Sequence, residues 1–112
     1  MEKLENYRKY IQQLLLKYEQ RKPSYGDIEV ETIFDLQRDR YQVVHLGWKQ
    51  QQWIHSSILH LDIKDGKIWI QSDGTQVGVA NELSEAGVPS EDIVLGFKSP
   101  FKRQLMANAI DS

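Results

Sequence analysis

His60 and Asp62 stand two residues apart, and that spacing on a β-strand puts both side chains on one face. Imidazole and carboxylate are ligands for zinc or iron. Of the three histidines, His45 is the one that could join the pair. A metal centre needs three or four converging donors. The sequence places two, so hydrogen-bonded sheet histidines are the preferred reading, and no metal or cofactor is expected. Asp62-Ile63-Lys64 also has the form of the acid-x-lysine element of metal-dependent nucleases. There a carboxylate holds Mg²⁺ and a lysine stabilises the attacking water. Glu29, Glu31 or Asp35 would supply the earlier acid. Against this, Lys64 adjoins an Asp-Gly turn, where charged residues serve solubility. The order of elements also lacks the alternation of helix and strand that such a nuclease core needs.

Three further sets of residues are weaker. Asp73-Gly74-Thr75 ahead of a helix could offer backbone N–H groups to an anion. It lacks the glycine spacing and the lysine of a P-loop, so a helix cap is preferred. Lys98, Lys102 and Arg103, with Phe101, form a small basic-aromatic patch that could touch a nucleic-acid backbone. A solvated helix face is the default for it. The serines and histidines show no ordered motif for nucleophilic catalysis. With no cysteine, disulfides, thiol chemistry and cysteine-ligated zinc are excluded. The chain is not expected to be an enzyme.

The elements that must position His60 and Asp62 begin with a hairpin. Asp65-Gly66 is the dipeptide of a two-residue type I′ turn, whose central residues both need positive φ. That turn predicts Ile63 opposite Ile68, Leu61 opposite Ile70, Asp62 opposite Trp69 and His60 opposite Gln71. One face is then aliphatic, with Leu59, Leu61, Ile63, Ile68 and Ile70. The other carries His60, Asp62, Lys64, Lys67, Trp69 and Gln71. A tryptophan among charges on a sheet's second face implies that something covers it.

Leu4, Tyr7, Ile11, Leu14, Leu15 and Tyr18 recur at helical steps, predicting an amphipathic helix over residues 3–20 that Pro23 ends. The same spacing fits a heptad seam and hence self-association. It lasts only about two heptads, so packing on a sheet is preferred. Ile28, Val30, Thr32 and Phe34 alternate with acids in a first strand, and Asp35 to Arg40 reads as a loop. Tyr41 to Trp48, Trp53 to Ile63 and Lys67 to Ser72 follow as strands. If Lys49 to Gln52 is all loop, Trp48 pairs with Trp53, a favoured aromatic pair. A one-residue slip would instead set His45 opposite His55. Asp73 and Gln76 read as a capping box for a helix over residues 76–86 that Gly87 ends, with Pro89 beyond. Ile93 to Phe97 is a short strand, and Ser99-Pro100 opens a last helix. The result is an α+β fold, a single domain over residues 1–112. It has an N-terminal helix, a mainly antiparallel sheet of four to five strands, and C-terminal helices.

Carried along the Trp48–Trp53 register, the hairpin places Val44, Leu46, Trp48 and Trp53 on the aliphatic face. Tyr41, Val43, His45, Ile54, Ile58, His60 and Trp69 then share the other. Both faces are at least half apolar, whereas a solvated face of an antiparallel sheet should be mainly polar. Either the two helices cover both sides, or one side is a subunit or partner interface.

The chain has 112 residues, enough to bury roughly 65% of its unfolded surface without staples. No apolar run reaches the ~20 residues of a membrane span, and Met1-Glu2-Lys3 does not open a signal peptide. A cytosolic protein without membrane contact is expected. Net charge is −2, unevenly spread: residues 1–22 hold six basic and three acidic groups, and the other 90 carry a net −5. A basic helix on an acidic body suits internal docking or an acidic protein partner better than sequence-reading DNA contact.

Three stretches together resemble the XisI-like family, the fdxN element excision controlling factors. They are Lys22 to Asp35, Asp62 to Thr75 and Asp92 to Phe97. The likeness covers essentially the whole chain. It implies an accessory role in excising a DNA element during heterocyst differentiation in cyanobacteria. It implies action beside a site-specific recombinase and a companion of the XisH type, which resembles endonuclease folds. Within that role the second sheet face is the expected contact surface, through Tyr41, His45, His60, Asp62 and Trp69, since Trp and Tyr are favoured anchors. A metal-dependent phosphodiesterase using Asp62 and Lys64, and direct DNA binding through the basic first helix, stand as alternatives.

Overall fold

The computed structural model describes residues 2–21, 26–75 and 78–103. Helix α1 runs Glu2–Glu19, with Tyr7, Ile11, Leu14 and Leu15 buried along the stripe read from the sequence. Four strands follow: β1 Asp27–Asp35, β2 Arg40–Lys49, β3 Gln52–Lys64 and β4 Lys67–Asp73. Then come α2 Val79–Glu85, a 3₁₀ turn Ser90–Asp92, and β5 Ile93–Leu95. Residues 100–103 are helical. The sheet order is β1-β2-β3-β4-β5, antiparallel throughout except for the parallel β4–β5 pair. The α+β architecture is the one the sequence predicts. Among the described residues, no helix is long and apolar enough to cross a membrane.

The turns follow from their residues. Asp65 and Gly66 both have positive φ, as a type I′ turn demands. The β2–β3 connection is tighter than predicted. Strand pairing includes Lys49 and Gln52, so only Gln50 and Gln51 turn, with Gln50 at φ 57. Trp48 faces Trp53 as expected. At the β1–β2 turn the Asp35 carboxylate accepts the backbone N–H groups of Gln37 and Arg38, each at 3.1 Å. Gly87 takes φ 111 just after the Ala86 cap, ending α2 as read.

Two details of the second helix differ from expectation. It starts at Val79 rather than 76, behind Gly78. Asp73 still reaches its start: Oδ2 accepts from the Val79 N–H at 2.8 Å, while Oδ1 accepts from Thr75 N at 2.9 Å. Six residues separate Asp73 from Val79, so Asp73 caps the helix from a distance and not as the residue before its first turn. Pro23, Gln76 and Val77 lie outside the described residues.

The register of β3 carries the main correction. Pairing runs from Trp48–Trp53 to Val44–Ser57, then shifts, so that Val43 faces Leu59, Tyr41 faces Leu61 and Arg40 faces Asp62. Ile58 is the extra residue. A one-residue shift exchanges the faces of everything beyond it. Tyr41 and Val43 therefore join the aliphatic face, and Val44, Leu46, Trp48 and Trp53 join the face of His60 and Asp62. A second shift at the β3–β4 pair sets His60 opposite Ser72 instead of Gln71. The other three predicted hairpin pairs are as read.

Both helices pack on the aliphatic face. Ile11, Leu15, Tyr41, Leu59, Leu61, Ile68, Ile70 and Val79 are completely buried there in one cluster. Each fully buried aliphatic side chain contributes about 1.5–3 kcal/mol. Polar contacts pin the layers together. Lys17 and Tyr18 of α1 both donate to Glu82 of α2, at 2.7 Å each. The Tyr7 hydroxyl donates to the buried Asp92, which also pairs with Lys3 at 2.9 Å. Arg8 holds Asp39 through two hydrogen bonds of 2.7 and 3.1 Å.

Candidate functional site: the outer sheet face

Because both helices share one side, neither covers the other face of the sheet. Asp62 stands at one end of that outer face, 3% exposed. Its carboxylate is fully engaged. Arg40 donates to Oδ2 at 3.0 Å, Gln71 donates to Oδ2 at 3.3 Å, and His60 Nε2 meets Oδ1 at 2.9 Å. Burying a carboxylate is tolerable only with such partners. The cluster is a cross-strand lock joining β2, β3 and β4.

Trp69 sits opposite Asp62 on the same face. Lys64 Nζ lies 4.6 Å from its ring centroid, and Arg103 reaches over it at 5.3 Å. These two cations form the cover that the sequence left open. Among the described residues, the indole Nε1 is buried without a hydrogen-bond partner.

Toward the other end of the face, Trp48 and Trp53 meet edge to face, with ring centroids 5.3 Å apart and planes at 63°. They are 54% and 52% exposed. Val44 and Leu46 continue the apolar column on β2, and Ile33 of β1 adds a side chain 48% exposed. The outer face therefore carries an exposed tryptophan pair at one end, flanked by Asp27 and Glu29 of β1, and the buried Asp62 cluster at the other.

Of the five expected contact residues, the structure brings together His60, Asp62 and Trp69. Tyr41 is completely buried beneath the helices, and its hydroxyl donates to Asp39 at 3.0 Å. Burial, reinforced by that hydrogen bond, pushes its phenol up to about 12. His45 shares the Tyr41 side of β2, between Val30 and Ser56, and burial lowers its pKa. The Ile58 bulge sets these two on the helix face and Trp48 and Trp53 on the outer one, the reverse of what unbroken alternation predicts. A signal was present: the adjacent apolar pairs Val43-Val44 and Ile58-Leu59 interrupt the alternation where the register shifts.

The other constellations resolve into structure. In the acid-x-lysine element, Asp62 is occupied by Arg40, His60 and Gln71, while Lys64 lies on Trp69. Asp35, an earlier acid on the same rung of the sheet, accepts from Arg38 at 3.1 Å. Asp73 fills the start of α2 with its own carboxylate, leaving no anion seat. Ser99 Oγ accepts from Lys102 N at 3.2 Å, as a cap should. Among the described residues, no group of three or more His, Asp or Glu side chains converges as a metal site.

Comparison with known proteins bears on this geometry. Residues 1–110 match the family described as XisI protein. The chain is similar to a XisI-like protein from Anabaena variabilis ATCC 29413, whose crystal structure was determined at 1.30 Å. Identity is 43%, with 88% of this chain and 91% of that chain covered and a TM-score of 0.83. It is also similar to the fdxN element excision controlling factor XisI of the same organism, at 39% identity. That likeness covers 90% of this chain and 98% of the other, with a TM-score of 0.79. None of the curated proteins matches the chain.

Proposed function

This chain belongs to the XisI family, and we propose that it is a controlling factor for excision of a DNA element of the fdxN type, acting as a non-catalytic protein-binding module. The excision role follows from the family and from the relative named as an excision controlling factor. The mode of action is read from the outer face. One observation carries it: two tryptophans, each more than half exposed, stand on a sheet face that neither α1 nor α2 covers. Exposed tryptophans beside an apolar column are costly in water and are typical interface anchors.

The partner in this reading is a XisH-like protein, with the recombinase acting on the DNA. Trp48 and Trp53 provide the anchor. His60, Asp62 and Trp69 form the polar end, which sets orientation. Asp62 acts as a strut and not as a ligand for substrate, because its oxygens already accept from three neighbours. The test is co-purification with a XisH-like protein followed by light scattering. A complex of defined stoichiometry supports the reading. A protein that ignores the partner overturns it.

A further inference from the structure

Strand β1 is an edge of the sheet, nine residues long, with no proline or glycine in it. Among the described residues no strand pairs with its outer side. Long open edges invite pairing with other chains, and natural proteins blunt them with charge. The charge on β1 has one sign and one side. Asp27, Glu29 and Glu31 alternate on the outer face, all exposed, and none pairs with a cation among the described residues. Ile28, Val30, Thr32 and Phe34 alternate on the helix face, where Val30 and Phe34 pack against the core.

This pattern selects what can be added. Two copies of β1 paired about a two-fold axis would set their carboxylates side by side on one face, and like charges opposite each other destabilise a sheet. A basic strand meets no such barrier. We propose that the β1 edge accepts, by strand addition, an extended segment of another protein that alternates lysine or arginine with apolar residues. Its cations face Glu29 and Glu31, and its apolar side chains extend the helix-side core past Val30 and Phe34. Main-chain hydrogen bonds supply affinity and the acid row supplies selectivity. The acid row adjoins the Trp48 column, with Asp27 opposite Trp48, but main-chain pairing at the edge is a different contact, and the methylated peptide reads that pairing alone.

The probe is a labelled nine-residue peptide of alternating lysine and valine, titrated by fluorescence anisotropy with the full chain. Three comparisons accompany it: a glutamate–valine peptide of the same pattern, the lysine–valine peptide with alternate backbone nitrogens methylated, and a Glu29→Lys, Glu31→Lys double variant. Saturable binding of the lysine–valine peptide is expected. Methylation or the double variant should weaken it about tenfold or more. Both glutamates are exposed, so the variant should fold, and the methylated peptide tests pairing on the unaltered protein. Four results would overturn the proposal: no binding, equal binding of the methylated peptide, equal binding of the glutamate peptide, or unchanged binding by the double variant. Self-association of the chain that the double variant abolishes would also overturn it, since the edge would then belong to a second copy.

Discussion

Tyr41 faces Leu61 across β2 and β3, one residue beyond the His60 that an unbroken register from the Trp48–Trp53 end would give it. The single extra residue, Ile58, decides which half of the sheet is core and which is surface. It turns Tyr41 and Val43 under the helices and turns Val44, Leu46, Trp48 and Trp53 outward. Deleting Ile58 would leave Val43 opposite Leu59 and Tyr41 opposite Leu61 in one unbroken ladder, so every side chain keeps its face. The deletion variant is therefore expected to keep cooperative unfolding, read by circular dichroism on heating. A deletion variant without a cooperative transition would show that the bulge itself is needed to hold the sheet.

Tyr41 is thus a structural residue, and its hydroxyl bonds an ionised Asp39. Tyr41→Phe should lower unfolding free energy by about 1.5 kcal/mol, the typical worth of a hydrogen bond to a charged group. Urea titration measures it. Partner binding by the folded variant should be unchanged, because the side chain does not reach the outer face.

Acid should destabilise the protein through two carboxylates. Hydrogen bonding to Arg8 holds Asp39 below the usual carboxylate range, and Tyr41 adds to this. Burial alone would push Asp92 up, but the Tyr7 hydroxyl and Lys3 together outweigh it and leave it lowered. A depressed folded-state pKa means stability that is present above the unfolded value of about 4 and lost as pH falls through the folded one. The melting temperature should therefore drop below about pH 4. Asp39→Asn should start lower and fall less steeply. An equal slope in both proteins would remove Asp39 from the explanation.

Gly47 of β2 stands opposite Ile28 of β1. Its φ is +146, and a Cβ there would lie 2.0 Å from the Asp27 carbonyl oxygen. Both the conformation and the backbone contact exclude a side chain. Gly47→Ala should cost about 2–4 kcal/mol. Hydrogen exchange should rise first in the Asp27–Val30 end of β1. Uniform exchange at the parental rate would contradict this.

Much of the fold is legible from local residue types. The helical stripe from Leu4 to Tyr18, the Asp65-Gly66 turn and the Trp48–Trp53 pair each rest on neighbours within one element or one hairpin. The outer face is not legible that way, because it depends on register carried over many residues. Simple alternation through Ile58 advances the pleat by one face per residue, and a bulge breaks that rule. His60 and Trp69 keep their side because they lie on the hairpin side of the shift, close to the turn that fixes them. Tyr41, His45, Trp48 and Trp53 are reached only through the shift and so exchange places. The cover over Trp69 was beyond local reading altogether, since Arg103 comes from 34 positions further along the chain.

The most direct measurement is a calorimetric titration of a XisH-like protein with the wild-type chain, Trp48→Ala and Trp69→Ala. Both substitutions lie on the outer face, and Trp48 is 54% exposed, so the folded state should survive each change. Saturable binding by the wild type is predicted, weakened about thirtyfold by Trp48→Ala, as expected of a central anchor worth about 2 kcal/mol. A smaller loss is predicted for Trp69→Ala, whose ring is already covered by Lys64 and Arg103. Wild-type affinity in both variants would contradict the assignment of this face as the binding surface.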